Sequence, residues 1–180
     1  LKDNPHGVDL GEHESRLPQR LYHEDKKIRS APEEVLADLS RLLTEATAAN
    51  ATGFRLIGRR HLRSNNSWLH NSQRLVKGPV RNQLLMHPDD LARLGVTSGQ
   101  QVKVASRVGE IVVPVEATDA VMPGVVSLPH GWGHDRAGTR MGVAHAHAGV
   151  SANDLTDERY LDDLSGNAAL NGVPVTVTAA

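Results

Sequence analysis

Two hydrophobic periods divide the chain. Val35, Leu36, Leu39, Leu42, Leu43 and Ala46 recur at three- and four-residue spacing, the stripe of an amphipathic helix. Ser30-Ala31-Pro32-Glu33 just before them reads as a capping box, with Ser as N-cap and Glu three residues on. The spacing predicts a helix over 31–48, closed by Gly53. Residues 1–29 are polar, carry Pro5 and Pro18 and show no period, so they read as an extended linker or strap. After Gly53 the period falls to two. Strands are predicted at Phe54–Gly58 and Gln83–Met86. Val102, Val104 and Ser106 alternate, Arg107–Glu110 turns, and Ile111, Val113 and Val115 alternate on the return, which is a hairpin. Pro123-Gly124 turns into a strand at Val125–Leu128, and the last strand is Val173–Val177. Between them His87–Gly95 carries Pro and two acids at its start and Gly at its end, the signals of a short helix. Six short strands without regular helices between them argue for a small barrel rather than a doubly wound sheet. The organisation expected is a 1–50 linker segment with one helix, then a 51–180 barrel domain.

Composition narrows the class. Apolar residues are 39 % of the 180 but aromatics only 3 %, so the core must be built from Val, Leu, Ala and Ile. A net charge of −1 argues against a protein whose main job is a broad electrostatic grip on nucleic acid. No apolar run is long enough to span a membrane, and no signal peptide is visible. The chain has no Cys, which excludes a disulfide, a Cys-based zinc site, an iron–sulfur cluster and a thiol nucleophile within it. It begins with Leu1 rather than Met, as expected of a piece of a longer protein. These absences therefore describe this piece, and the cytoplasm is a default location.

The candidate chemistry lies in three places. Arg59 to Asn71, RRHLRSNNSWLHN, follows a strand directly. It supplies cations, hydroxyls and backbone N–H groups, which suit a phosphate. The alternative is a surface loop whose Asn and Ser satisfy their own turns. There is no Walker A or G-x-G-x-x-G pattern. Next, His130-Gly131-Trp132-Gly133-His134 and His145-Ala146-His147 gather four imidazoles. They suit zinc or nickel, or are hydrogen-bonded histidines in a Gly-rich loop. The two glycines let the backbone approach a flat ligand, on which Trp132 stacks; a core Trp is the alternative. Finally, Asn153-Asp154-Leu155-Thr156 offers an amide and a carboxylate to the edges of pterins and purines. A helix N-cap is the alternative. Ser127 and His130 are close in sequence, but no G-x-S-x-G elbow marks a nucleophile.

Taken in order, GRR-HLRSNNSWLHN, LLMHPDDLARLGVTSGQQVKV, SLPHGWGH, VSANDLTD and LSGNAALNGVPVTV resemble the C-terminal cofactor-binding domain of molybdopterin oxidoreductases of the dimethyl sulfoxide reductase family. That group includes formate dehydrogenases and nitrate reductases. The resemblance covers about residues 53–178. Residues 1–50, with HGVDLG and ESRLPQRL, resemble the segment leading into that domain. The resemblance implies a mainly β fold: a six-stranded double-psi β-barrel with short helices, preceded by an extended segment and one helix. It implies the cofactor bis(molybdopterin guanine dinucleotide), holding molybdenum or tungsten through dithiolene sulfurs. It also implies the contacts. Arg59, Arg63, Ser64, Asn65, Asn66, Ser67, Trp68, His70 and Asn71 would lie against one pyranopterin and its phosphates. His130, Gly131, Trp132, Gly133 and His134 form the second region, Asn153 and Asp154 the third, and Asn167 a fourth. Relatives often carry Pro where this chain has Asp163. The family's metal-ligating residue and iron–sulfur motif lie in earlier domains, so this chain alone is not catalytic and its partners are the preceding domains of the same polypeptide. Two other readings stand beside this one. Double-psi barrels also serve as protein-binding modules, as at the N-terminus of AAA ATPases, and would then expose an apolar patch. A His-based metal-binding domain is the other.

Overall fold

The computed structural model describes residues 2–48 and 53–180. The chain forms two compact units, Leu1–Thr47 and Ala48–Ala180. In the first, the polar stretch runs through isolated turns, such as Gly7 N–H to the Asn4 carbonyl at 3.0 Å and Lys26 N–H to the His23 carbonyl at 3.0 Å. Helix α1, Glu33–Ala48, follows with Glu33 and Glu34 in its first turn, where the helix dipole favours acids. It starts two residues later than the capping-box reading places it: Leu36 N–H bonds the Pro32 carbonyl at 3.1 Å, so Pro32 stands at the boundary where Ser30 was expected. Its apolar stripe, Val35, Leu36, Leu39, Leu42 and Leu43, is exposed. Among the described residues no helix is long and apolar enough to cross a membrane.

The second unit is a closed barrel of six strands in the order β1-β5-β2-β4-β3-β6. They are β1 Phe54–Arg59, β2 Leu84–Met86, β3 Gln101–Ala105, β4 Glu110–Ala117, β5 Val125–Pro129 and β6 Val173–Ala179. The pairs β1/β5 and β2/β4 are parallel, and the other four pairings are antiparallel. This is the double-psi β-barrel. Period-two alternation turns Leu56, Leu84, Met86, Val102, Val104, Val113, Val115, Val126, Leu128, Val173 and Val177 inward. A six-stranded barrel is narrow, so Val and Leu fill it, and Phe54 is the only Phe the chain has. The predicted hairpin is β3/β4, paired Val102 to Val113 and Val104 to Ile111, with Ser106 N–H closing its turn on the Gly109 carbonyl at 2.9 Å.

The short helix predicted at 87–95 is α3, Pro88–Leu94, capped by His87 and by Gly95 in the left-handed conformation at φ 67°. Its buried Asp90 accepts the Gly124 N–H at 2.7 Å and pairs with Arg93 at 2.8 Å, fastening the helix to the Pro123-Gly124 turn. Two helices appear that no period announces: α2, Gln73–Val76, and α4, Gly142–Ala146. A 3₁₀ turn spans Ala152–Leu155. The topology also positions the site. Because β1 and β5 are parallel neighbours, Arg59 lies beside Pro129, and the chain leaves both strands at the same end of the barrel.

Candidate functional site

The Asn-rich loop leaves β1 and folds into consecutive tight turns. Ser64 N–H and Oγ both bond the His61 carbonyl, at 3.1 and 2.9 Å. Trp68 N–H bonds the Asn65 carbonyl at 3.3 Å and His70 N–H the Ser67 carbonyl at 3.2 Å. Asn65 and Asn66 take φ of 41° and 62°, the left-handed region that Asn tolerates better than other residues with a side chain. The two asparagines therefore make the turn, and the turn throws Trp68 outward, 82 % exposed, together with Leu62 at 94 %. Asn66 Oδ1 accepts from the Arg60 guanidinium and lies 3.0 Å from His130 Nε2, so one amide joins the loops after β1 and β5.

The loop after β5 packs on the first with no space for side chains. At Gly131, φ 87°, a Cβ would run into the Asn66 carbonyl; at Gly133, φ 99°, it would come within 2.8 Å of Ser151 Cβ. Gly133 N–H bonds the Ala148 carbonyl at 2.8 Å. Segments 64–70, 130–134 and 148–154 thus converge on one mouth. At their junction His70 is 2 % exposed. Its Nδ1 lies 2.7 Å from His134 Nε2, and its ring meets Trp132 at 4.2 Å between centroids. Burial, helped by His134 and opposed by the Gly131 carbonyl, pushes His70 down to about 4. Burial also lowers His61, with Arg81, Arg59 and Arg63 adding to it, and lowers His130, with Arg60 adding to it. These three rings stand neutral at pH 7 and act as hydrogen-bonding groups.

The third segment is a helix start and an open face at once. Ser151 caps the 3₁₀ turn, its Oγ accepting the Asn153 N–H at 3.3 Å, while the Asn153 side chain is exposed. Asp154 pairs with Arg136. Behind the turn, Gly109 of the β3/β4 hairpin packs against the Asp154 carbonyl too closely for a Cβ. Arg107 grips Asp157 through two bonds of 2.5 and 2.6 Å and Glu158 at 3.1 Å. This bidentate pairing holds the Asp157 carboxyl down at about 2.

The remaining residues named from sequence are placed differently. The Arg59 guanidinium turns into the barrel wall, donating to the carbonyls of Ser127 at 2.5 Å, Gln83 at 2.7 Å and Arg81 at 3.4 Å. Arg63 donates to the Arg74 carbonyl at 2.8 Å. Asn71 Oδ1 accepts the Val143 and Ala144 N–H groups at 3.1 and 3.2 Å, capping α4 from another loop. Asn167 sits in a small hairpin closed by the Leu161–Ala168 bridge, its N–H on Ser165 Oγ at 3.2 Å. His145 Nδ1 lies 3.1 Å from the His134 carbonyl. Among the described residues no group of three or more His, Cys, Asp or Glu is placed to hold a metal ion, which leaves the His-based metal reading without a ligand set.

Three contributors escaped the sequence reading. Buried Asn82 pairs with Val150 as a strand neighbour would, accepting its N–H at 2.7 Å and donating to its carbonyl at 3.2 Å, and Gly149 lies over its side chain. Arg81 closes the end of α2, donating to the carbonyls of Leu75, Val76 and Lys77 at 3.2, 3.1 and 2.9 Å. Arg136 holds Asp154. No motif marks any of them. The mouth as a whole offers backbone N–H groups, amides at Asn65 and Asn153, the Arg60 guanidinium and an exposed indole. This donor set, held in place by glycines that let the loops pack backbone to backbone, fits a flat, edge-polar, anionic ligand.

Comparison with known proteins bears on the same residues. The family model described as "Molydopterin dinucleotide binding domain" matches residues 54–174. A tetrathionate reductase subunit from Salmonella typhimurium is 29 % identical over 113 residues, 53 % of this chain and 11 % of that protein. The molybdopterin-containing chain of the arsenate respiratory reductase from Chrysiogenes arsenatis is 32 % identical over 115 residues, 61 % of this chain and 13 % of that protein. Among solved structures, acetylene hydratase from Pelobacter acetylenicus superposes with a TM-score of 0.57 at 20 % identity, over 77 % of this chain and 20 % of that one, which is a likeness of fold. The chain thus spans little more than a tenth of the two curated relatives.

Proposed function

From the premise that the chain belongs to the molydopterin dinucleotide binding domain family, we propose that it binds bis(molybdopterin guanine dinucleotide) as the C-terminal domain of a larger molybdenum- or tungsten-dependent oxidoreductase. The observation that carries this reading is the convergence at the barrel mouth: the parallel β1/β5 pair brings the Asn-rich loop beside the Gly-Trp-Gly loop, and Gly131 seats on Asn66. The cofactor, when bound, supplies a metal that carries the redox chemistry; the chain supplies orientation and electrostatics.

Each contribution follows from side-chain chemistry. Backbone N–H groups of the loop, the Ser67 hydroxyl and Arg60 receive phosphate oxygens. Asn65 and Asn153 present a donor and an acceptor together to the edges of a pterin or purine. Trp68 gives an exposed flat face for stacking. Asp154 accepts from a guanine edge by exchanging Arg136 for base N–H groups, and Arg136 stays near to hold the local charge low. Arg59, Asn71, Asn82 and Arg107 shape the mouth without touching the ligand. The exposed apolar stripe of α1 favours a contact with preceding domains of the same polypeptide, which bring the metal's own ligand. The test is cofactor content of the whole protein. Asn65→Ala with Asn153→Ala should lower bound pterin by about tenfold or more while the fold persists. Undiminished pterin in the folded double variant would refute this site.

A further inference from the structure

Behind the Asn-rich loop lies a small cavity lined by His61, Arg63, Ser64, His70, Arg81 and Trp132, among others, with about 10 Å³ for the centre of a water. That is room for one molecule. Three buried ring nitrogens, on three of the residues that line this cavity, have no hydrogen-bond partner: His61 Nδ1, His70 Nε2 and Trp132 Nε1. A buried polar group left unpaired costs about 1–3 kcal/mol, so three around one space call for a polar occupant. We propose that the cavity is a binding site for one water, and that this water completes a hydrogen-bonded chain, His61–water–His70–His134, able to carry a proton between the loop's interior and the mouth.

The donor inventory fixes how the water sits. An indole N–H only donates, so the water accepts from Trp132. His70 Nδ1 and His134 Nε2, 2.7 Å apart, need one donor and one acceptor. If His134 donates, His70 Nε2–H donates to the water, and the water donates to His61. If His70 donates, the water donates to both His70 and His61. Transfer balances at each atom. A proton arriving at His134 Nδ1 releases the Nε2 proton to His70 Nδ1, His70 releases its Nε2 proton to the water, the water gives one to His61 Nδ1, and His61, which burial and three arginines keep from holding charge, releases its Nε2 proton to solvent. One N–H or O–H bond breaks for each that forms, and no electrons are gained or lost. Burial disfavours a charged His70, so it conducts rather than stores the proton. A metal ion is the wrong occupant, since Arg63 and Arg81 share the wall and an indole N–H cannot ligate.

The groups facing the rings are Arg59, Arg63 and Arg81 around His61, and His134, His61 and the Gly131 carbonyl around His70. The test uses the full chain with ¹⁵N-labelled histidine and tryptophan, following ring N–H groups by NMR at one fixed pH. In the wild type the Trp132 Nε1–H should show cross-relaxation to one long-lived water, and the His61 ring proton should exchange rapidly with solvent. In His70→Gln, whose amide bonds but cannot relay, the water should stay and exchange at His61 should slow. Should that variant not fold, His61→Gln cuts the chain at its partly exposed end and should slow exchange at the His70 ring instead. A crystal structure should place one solvent peak within bonding distance of all three nitrogens. A dry cavity, or ring-proton exchange that neither substitution changes, overturns the proposal. Neither result needs the cofactor, so failure here leaves the proposed function standing.

Discussion

Gly131 and Gly138 share a left-handed backbone, φ 87° and 90°, but differ in what surrounds them. A Cβ on Gly138 meets nothing within 4 Å, whereas one on Gly131 meets the Asn66 carbonyl. Gly138→Ala should therefore cost only backbone strain, about 1–2 kcal/mol. Gly131→Ala should cost about 1–3 kcal/mol more, because the Asn-rich loop must move. Urea unfolding of both variants gives the comparison, and equal losses would mean the loops do not meet at Asn66. His70 makes a second prediction. Its ordinary value of 6.5 falls to about 4 on folding, so between those values the unfolded chain takes up the proton and the folded chain does not. Its contribution is full above pH 6.5 and drains as pH falls toward 4, by at most about 3 kcal/mol. Unfolding midpoints should fall across that window, and fall less in His70→Gln. At this scale the sequence was legible where a residue's role is local. The Asn pair makes a turn and the glycines flank a Trp, so both could be read. Asn82 pairs with a backbone 68 residues away, and nothing in its neighbours records that.

Elements were legible in proportion to their periodicity. The β3/β4 hairpin and α3 carry alternation or start and stop signals, and both formed as read. Helices α2 and α4 are single turns of four and five residues, too short to show a period. Tertiary bonds hold them instead: Arg81 closes α2, and Asn71 caps α4. Strand order was illegible for a related reason, since pairing β1 with β5 joins residues 70 apart, as in Arg55 to Val125. The inward alternation is testable on neighbouring strands. Leu84→Ala, fully buried in β2, should destabilise the barrel by about 2–5 kcal/mol. Val112→Ala, on the outer face of β4, should cost under about 1 kcal/mol. Asn82→Ala should cost about 1–3 kcal/mol and speed hydrogen exchange at the Val150 N–H. Unchanged exchange there would contradict the role given to Asn82.

For the whole molecule, a near-neutral chain of 180 residues builds a closed barrel and gathers its polar loops at one mouth, while α1 leaves an apolar stripe uncovered. A ligand held by loops from one barrel end is open on its other side, and preceding domains closing over it would complete its enclosure. What the intact protein carries decides between cofactor cradle and any other role. The decisive measurement is acid release of pterin and nucleotide from the full-length protein, purified from its native host, alongside molybdenum and tungsten analysis. A cofactor-binding mouth predicts a pterin and a guanine nucleotide in equal amounts, about two of each per metal. Well-folded protein that releases neither would contradict it.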